Sequence, residues 1–125
     1  MKKVVYTPSA PDAIGPYSQA ILSNKTLYSS GQIAINPTNG ELITSNISDE
    51  THQVMKNLKA VLHAANMDFS NVLKCTIFLK DMNQYAAINA VYATYFDESP
   101  PAREAVQVSV LPKNVNIEIS IIASL

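Results

Sequence analysis

The sequence predicts a two-layer α+β sandwich, with two helices covering one face of a mixed sheet of about six strands. Three observations lead there. Apolar residues recur at helical spacing in two segments, alternating or β-branched runs lie before, between and after them, and no repeat, low-complexity tract or composition break divides the 125 residues. Residues 1–125 are therefore read as a single domain, and 47% apolar with 15% charged residues marks a globular chain with one core.

Lys3 to Tyr6 form a short edge strand, followed by a loop punctuated by Pro8, Pro11 and Pro16, none of which can donate to a central ladder. Tyr17 to Ser23 and Thr26 to Ile33 form a hairpin around Asn24 and Lys25, and NPTNGEL is a loop. The segment from Ser48 to Asp68 places Val54, Leu58, Val61, Leu62 and Ala65 on one helical stripe. Ser48 or Asn46 is its N-cap, and Asp49 and Glu50 sit near the positive end of the helix dipole.

Asn71 to Leu79 is dense in apolar and β-branched residues, as befits a strand with at least one covered face. Asp81 opens the second helix, with Gln84 in the arrangement of a capping box and Tyr85, Ile88, Tyr92, Tyr95 and Phe96 as its apolar face. Ser99, Pro100 and Pro101 stop it. Two alternating runs follow: residues 105–110 put Val106, Val108 and Val110 on one side, and residues 116–123 do the same with Ile117, Ile119 and Ile121. Their opposite sides carry Gln107, Ser109, Asn116, Glu118 and Ser120. The order is β-β-β-α-β-α-β-β. Helices on one face leave the other face of the sheet wet or covered by another chain, and the mixed character of the last two strands suits a subunit interface.

Several function classes are set aside by what is present. No run approaches a membrane span, and the first 19 residues lack the apolar stretch and cleavage site of a signal peptide, so a cytoplasmic protein without membrane partners is expected. The single cysteine, Cys75, forms no internal disulfide or cysteine-based metal cluster, and within an apolar strand it is read as a buried, inert thiol. The net charge is −1 and the lysines are scattered among acids, which argues against nucleic acid as a partner. His52 and His63 share a helix face but lie about 16 Å apart by helix rise, too far to share a metal, and are read as solvated. Gly15, Gly31 and Gly40, the only glycines, do not have the spacing of a phosphate loop.

Three polar residues stand out. Arg103 is the only arginine, and its planar fork suits a carboxylate in a way lysine does not; an ion pair with Glu104, Glu118 or another acid is the other reading. Asn89 shares a helix face with Tyr85 and Tyr92, so its amide either finds a partner there or is solvated at the helix edge. Glu118 is either a surface acid or a carboxylate held in a cleft beneath a partner subunit.

The stretches APDAIGPYSQA, YSSGQIAINPTNGEL, NLKAVLHAA, VLKCTIFLKDMNQYAAINAVYATYF, PAREAVQV and LPKNVNIEISIIA resemble the reactive-intermediate deaminase family, the RidA or YjgF-type proteins, over essentially the whole chain. The resemblance implies a chorismate-mutase-like fold assembled as a homotrimer with a central β-barrel and clefts between subunits. It implies hydrolysis of short 2-imino acids and their enamine tautomers, such as 2-iminobutanoate and 2-iminopropanoate, to 2-keto acids and ammonia, with no metal and no organic cofactor. By position, Arg103 matches the family's carboxylate clamp, Tyr17 a tyrosine lining the cleft, Ser30 and Gly31 the strand bordering the pocket, Asn89 the cleft asparagine, and Glu118 the acid that positions the attacking water. Arg103 and Glu118 are thus the expected catalytic residues. Two departures matter: Ala105 stands where many members have cysteine, and Ser120 stands where many have a second acid. A non-catalytic module that binds or reports a small carboxylate is the alternative, and an RNA-cleaving activity finds no support in the near-neutral charge.

Overall fold

The computed structural model describes residues 1–125. Strand β1 (Lys2–Val5) runs antiparallel to β2 (Ala20–Ser23), and Asn24 and Lys25, with φ of 49° and 71°, turn the chain tightly into β3 (Thr26–Ser29). Both strands of this hairpin are shorter than the sequence predicts. Ser30 N still bonds Gln19 O at 2.9 Å, but Gln32 then pairs with Ile119 instead, so residues 30–33 peel away toward the last strand.

Helix α1 (Ile47–Ala64) starts where Asn46 Oδ1 accepts from Asp49 N at 2.8 Å, with Asp49 and Glu50 in the first turn. Val54, Leu58, Val61 and Leu62 are fully buried, as the periodicity requires. The helix ends four residues before the predicted Asp68. Asn66 adopts φ of 58°, its N–H bonds His63 O, and Met67 N bonds Leu62 O, a left-handed C-terminal motif that closes the last turn. His63 is exposed as expected, but His52 is not simply solvated: it is half-buried, and its Nδ1 lies 2.8 Å from Tyr95 Oη. Position 52 points toward the aromatic cluster of Phe69, Tyr95 and Phe96 rather than away from the protein.

Strand β4 (Val72–Leu79) buries Cys75, Ile77 and Leu79, and a bulge between Val72 and Lys74 turns Leu73 out to solvent. Helix α2 (Tyr85–Tyr92) is shorter than predicted because single 3₁₀ turns, Met82–Gln84 and Ala93–Tyr95, flank it. Asp81 caps the first turn by accepting from Asn83 N at 2.9 Å, and the capping box predicted with Gln84 is not formed. A capping box appears instead between Asp68 and Asn71.

The largest difference concerns β5 (Ala102–Gln107), which starts three residues before the predicted 105–110. It pairs parallel to β4 with Cys75 opposite Arg103 and Ile77 opposite Ala105. This register turns Arg103 and Ala105 toward the helices and Val106 toward the other face, a choice of face that the valine alternation alone left open. Strand β6 (Ile117–Ser124) behaves as read, burying Ile117, Ile119 and Ile121.

The sheet order is β1-β2-β3-β6-β4-β5, antiparallel throughout except for β4–β5. Leu27, Ile77, Leu79, Ile117 and Ile119 from the sheet meet Val54, Met55, Leu58, Leu62 and Ile88 from the helices, each fully buried and each contributing about 1.5–3 kcal/mol in transfer terms. The opposite face is covered only at one end, where Phe78 packs against Ile33, Leu111 and Val115, and is open over β1, β2 and β3. There the register aligns Val4, Ile21, Tyr28 and Ile122 in one row across four strands, with Val4 57% and Tyr28 50% exposed. No helix is long and apolar enough to cross a membrane.

Candidate functional site

Three buried polar side chains, Gln19, Asn57 and Glu50, each tie down one segment around a cavity of about 350 Å³. The proline-punctuated loop lacks backbone donors where it needs them, and Gln19 supplies them: its Nε2 donates to Thr7 O, Ala10 O and Pro11 O, and its Oε1 accepts from Thr7 N at 2.7 Å. Asn57 on α1 donates to Ile33 O and Ile35 O at 3.0 and 2.9 Å, fixing the segment that peels from the hairpin. Glu50, two turns earlier, accepts from Asn116 N and Nδ2, both at 2.7 Å, and from Ile117 N at 3.2 Å. That last set anchors the start of β6, two residues from Glu118.

Glu118 therefore projects from a fixed strand into the cavity, together with Tyr17, Ser30, Gly31, Ile14 and Pro112. Gly31 explains how close the approach is: a Cβ at this position would lie 2.6 Å from both Glu118 Cδ and Oε2. Only glycine leaves the carboxylate room, a consequence of residues 30–33 crossing onto β6 at the Gln32–Ile119 bridge. Glu118 has no cation partner, since the one ion pair of the chain joins Lys74 and Glu104 at 3.4 Å. Burial raises its pKa above the ordinary glutamate value. Tyr17 is half-exposed, its Oη accepts from Ile14 N at 3.3 Å, and its phenolic proton is left for another acceptor. The Ser30 hydroxyl is already used, donating to Ser18 O at 2.6 Å.

Arg103 lies elsewhere. Its side chain runs under α2, where Tyr85, Asn89 and Tyr92, spaced four and three residues apart, form one stripe. Nη1 donates to Asn89 Oδ1 and Nη2 to Tyr85 Oη, both at 2.6 Å, while the guanidinium carbon sits 5.4 and 4.9 Å from the Tyr85 and Tyr92 ring centroids. Asn89 thus has its partner, and Arg103 forms no ion pair with Glu104 or Glu118. Two of the guanidinium's five N–H groups are taken, leaving three, enough for one two-point grip on a carboxylate.

Below this cage Tyr92 Oη is buried with no hydrogen-bond partner, and burial, with the neighbouring Cys75, raises its pKa strongly. Cys75 is itself buried, with its pKa raised by burial, which fits the inert thiol expected.

The expected site residues thus fall into two groups. Tyr17, Ser30, Gly31 and Glu118 meet at the cavity, and Arg103 and Asn89 meet at α2. Glu118 shares a face with Phe78 and Val106, whereas Arg103 shares the opposite face with Cys75 and Ile121. Within one chain the sheet separates them. Sequence reasoning missed the role of Tyr85 and Tyr92 around Arg103, because an aromatic stripe on a helix equally describes a core face; the signal was the polar Asn89 between them.

The family model described as endoribonuclease L-PSP matches residues 7–125. A RutC family protein of Pyrococcus horikoshii is 54% identical over 123 residues, covering 98% of each chain. A Mus musculus protein named 2-iminobutanoate/2-iminopropanoate deaminase is 46% identical over 123 residues, 98% of this chain and 91% of that one. A crystal structure of a conserved Rid-family protein from Yersinia pestis, 47% identical, superposes with a TM-score of 0.97 over 100% of both chains. With the motifs around Tyr17, Gly31, Arg103 and Glu118 in place and both likenesses spanning nearly the full length, the chain belongs to the RidA/YjgF family.

Proposed function

We propose that the protein hydrolyses short 2-imino acids, 2-iminobutanoate and 2-iminopropanoate among them, to 2-keto acids and ammonia. The site is a cleft between two copies of the chain in a homotrimer, with Arg103 and Asn89 supplied by one copy and Glu118, Gly31, Ser30 and Tyr17 by the other. The observation that carries this reading is Glu118, a carboxylate with no cation partner in a fixed strand, facing a cavity with its proton affinity raised by burial. The deaminase name of the mouse relative supports the substrate class. The uncovered apolar row on the sheet supports a partner subunit.

A protonated 2-imino acid carries a carboxylate and an iminium. Two charge-assisted bonds from the free edge of Arg103 hold the carboxylate and set the position of C2. Ionised Glu118 accepts a proton from water as its oxygen attacks C2, giving a tetrahedral carbinolamine, and returns that proton to the amine. The C–N bond breaks as the C=O bond forms, the hydroxyl proton leaves, and keto acid and ammonium are the products. A raised pKa suits a group that must both take and give a proton near neutral pH. Imines hydrolyse readily in water, so holding one substrate and one water together is sufficient, and neither a thiol at position 105 nor a second acid at position 120 is needed.

The assay generates 2-iminobutanoate with a dehydratase and traps the surviving imine with semicarbazide. Wild type accelerates imine loss, and Arg103→Ala and Glu118→Ala each abolish most of the acceleration. A wild-type chain that binds 2-oxobutanoate but leaves imine loss unchanged is a carboxylate-binding module instead.

A further inference from the structure

We infer that Tyr85 is the second member of the carboxylate clamp: its hydroxyl fixes the plane of Arg103 and donates its own proton to the carboxylate that Arg103 holds. The inference rests on the reading of Arg103 as that clamp. The hydroxyl oxygen already accepts from Nη2 at 2.6 Å, and no group in the chain accepts the hydroxyl proton. Accepting from a cation polarises the O–H bond, which makes that proton a stronger donor toward an anion.

The geometry leaves Tyr85 little else to do. Its side chain is half-buried rather than part of the fully buried core, and its oxygen lies at the end of the guanidinium opposite the one Asn89 takes. Asn89 Oδ1 and Tyr85 Oη pin both terminal nitrogens, and the Tyr85 and Tyr92 rings flank the guanidinium. A guanidinium so held cannot swing about its last torsions, so its remaining N–H groups are already oriented when the anion arrives. Asn89 meets Arg103 through its carbonyl oxygen, which can only accept; Tyr85 meets it through a hydroxyl that accepts from the guanidinium and still carries a proton to donate.

Tyr85→Phe in the full chain deletes the hydroxyl and keeps the ring. In the imine assay KM is expected to rise about ten- to a hundredfold with kcat within about twofold of wild type, the loss of one hydrogen bond to a charged group. Calorimetric binding of 2-oxobutanoate is expected to weaken by the same factor. In an Arg103→Ala background the Tyr85→Phe change is expected to have no further effect, a coupling that a merely structural hydroxyl would not produce. Unchanged KM and unchanged 2-oxobutanoate binding overturn the inference, as does a fall in kcat at constant KM or full additivity with Arg103→Ala. A wild-type chain that binds 2-oxobutanoate without hydrolysing imine removes the proposed reaction, and the binding series then decides Tyr85 alone. If wild type binds no 2-oxobutanoate, the clamp falls and this inference with it.

Discussion

Arg103 and Glu118 point to opposite faces of one sheet, Arg103 on β5 toward α2 and Glu118 on β6 toward the open side. Side-chain alternation makes this separation a property of strand register, which a rotamer change does not undo. A reaction that uses both groups draws on two copies of the chain. Mixing two inactive variants tests this. Arg103→Ala and Glu118→Ala chains, unfolded together and refolded, are expected to regain about a quarter of wild-type activity, since random assembly places an intact arginine against an intact glutamate at that fraction of interfaces. Each variant refolded alone stays inactive. No recovery in the mixture would mean that the two groups do not meet across subunits.

The pH behaviour of Glu118 gives a prediction in two directions. Burial raises its pKa in the folded chain, so the folded state keeps a proton that the unfolded state has released. Its contribution to stability is full below the ordinary glutamate value and declines as pH rises through the folded value. Glu118→Gln is expected to raise Tm at pH 7, to leave it unchanged near pH 3.5, and to lower kcat by about 10²-fold or more. Wild-type kcat/KM falls on the acid side at a pH above the ordinary glutamate range. A variant less stable than wild type at pH 7 would show that the carboxylate is stabilised in the fold after all.

Glu50 is where the site is tied to the core. Its carboxylate is fully buried and accepts three N–H groups from Asn116 and Ile117. Glu50→Ala strands those donors and is expected to cost about 3–5 kcal/mol in urea unfolding. Glu50→Gln keeps one acceptor oxygen and is expected to cost about 1–3 kcal/mol. Equal costs for the two variants would mean that side-chain volume, not the acceptor set, is what matters at this position.

The helices and β6 were legible because their patterns are redundant: Val54, Leu58, Val61 and Leu62 repeat the helical spacing, and Ile117, Ile119 and Ile121 repeat the strand spacing. Strand β5 was not, since Val106, Val108 and Val110 alternate convincingly while pairing with β4 begins at Ala102. Local alternation says that a strand exists, and the partner strand decides where it starts and which face is inward. The same holds for the site. Ser30 and Gly31 stand far from Glu118 in sequence, and what brings them to it is the crossing of residues 30–33 onto β6, which no local pattern announces. The Asn89 amide needed a partner by its position among aromatic residues, but nothing local identified that partner as Arg103.

Gly31 offers the sharpest test of how Glu118 is placed. A methyl group there would lie 2.6 Å from Glu118 Cδ and Oε2, and Gly31 does not have the left-handed backbone that would strain alanine. The clash therefore falls on the Glu118 side chain, which is half-buried and has room to swing toward the cavity. Gly31→Ala is expected to shift Tm by no more than a few degrees, since surface-accessible side chains relax at a cost of about 1 kcal/mol or less. Activity is expected to fall by about 10²-fold, the effect of misplacing a reacting group by roughly 1 Å. Combining it with Glu118→Ala gives the decisive comparison. If Gly31 acts only by giving Glu118 its position, the double variant matches Glu118→Ala in kcat; a further loss would assign Gly31 a contact with substrate of its own.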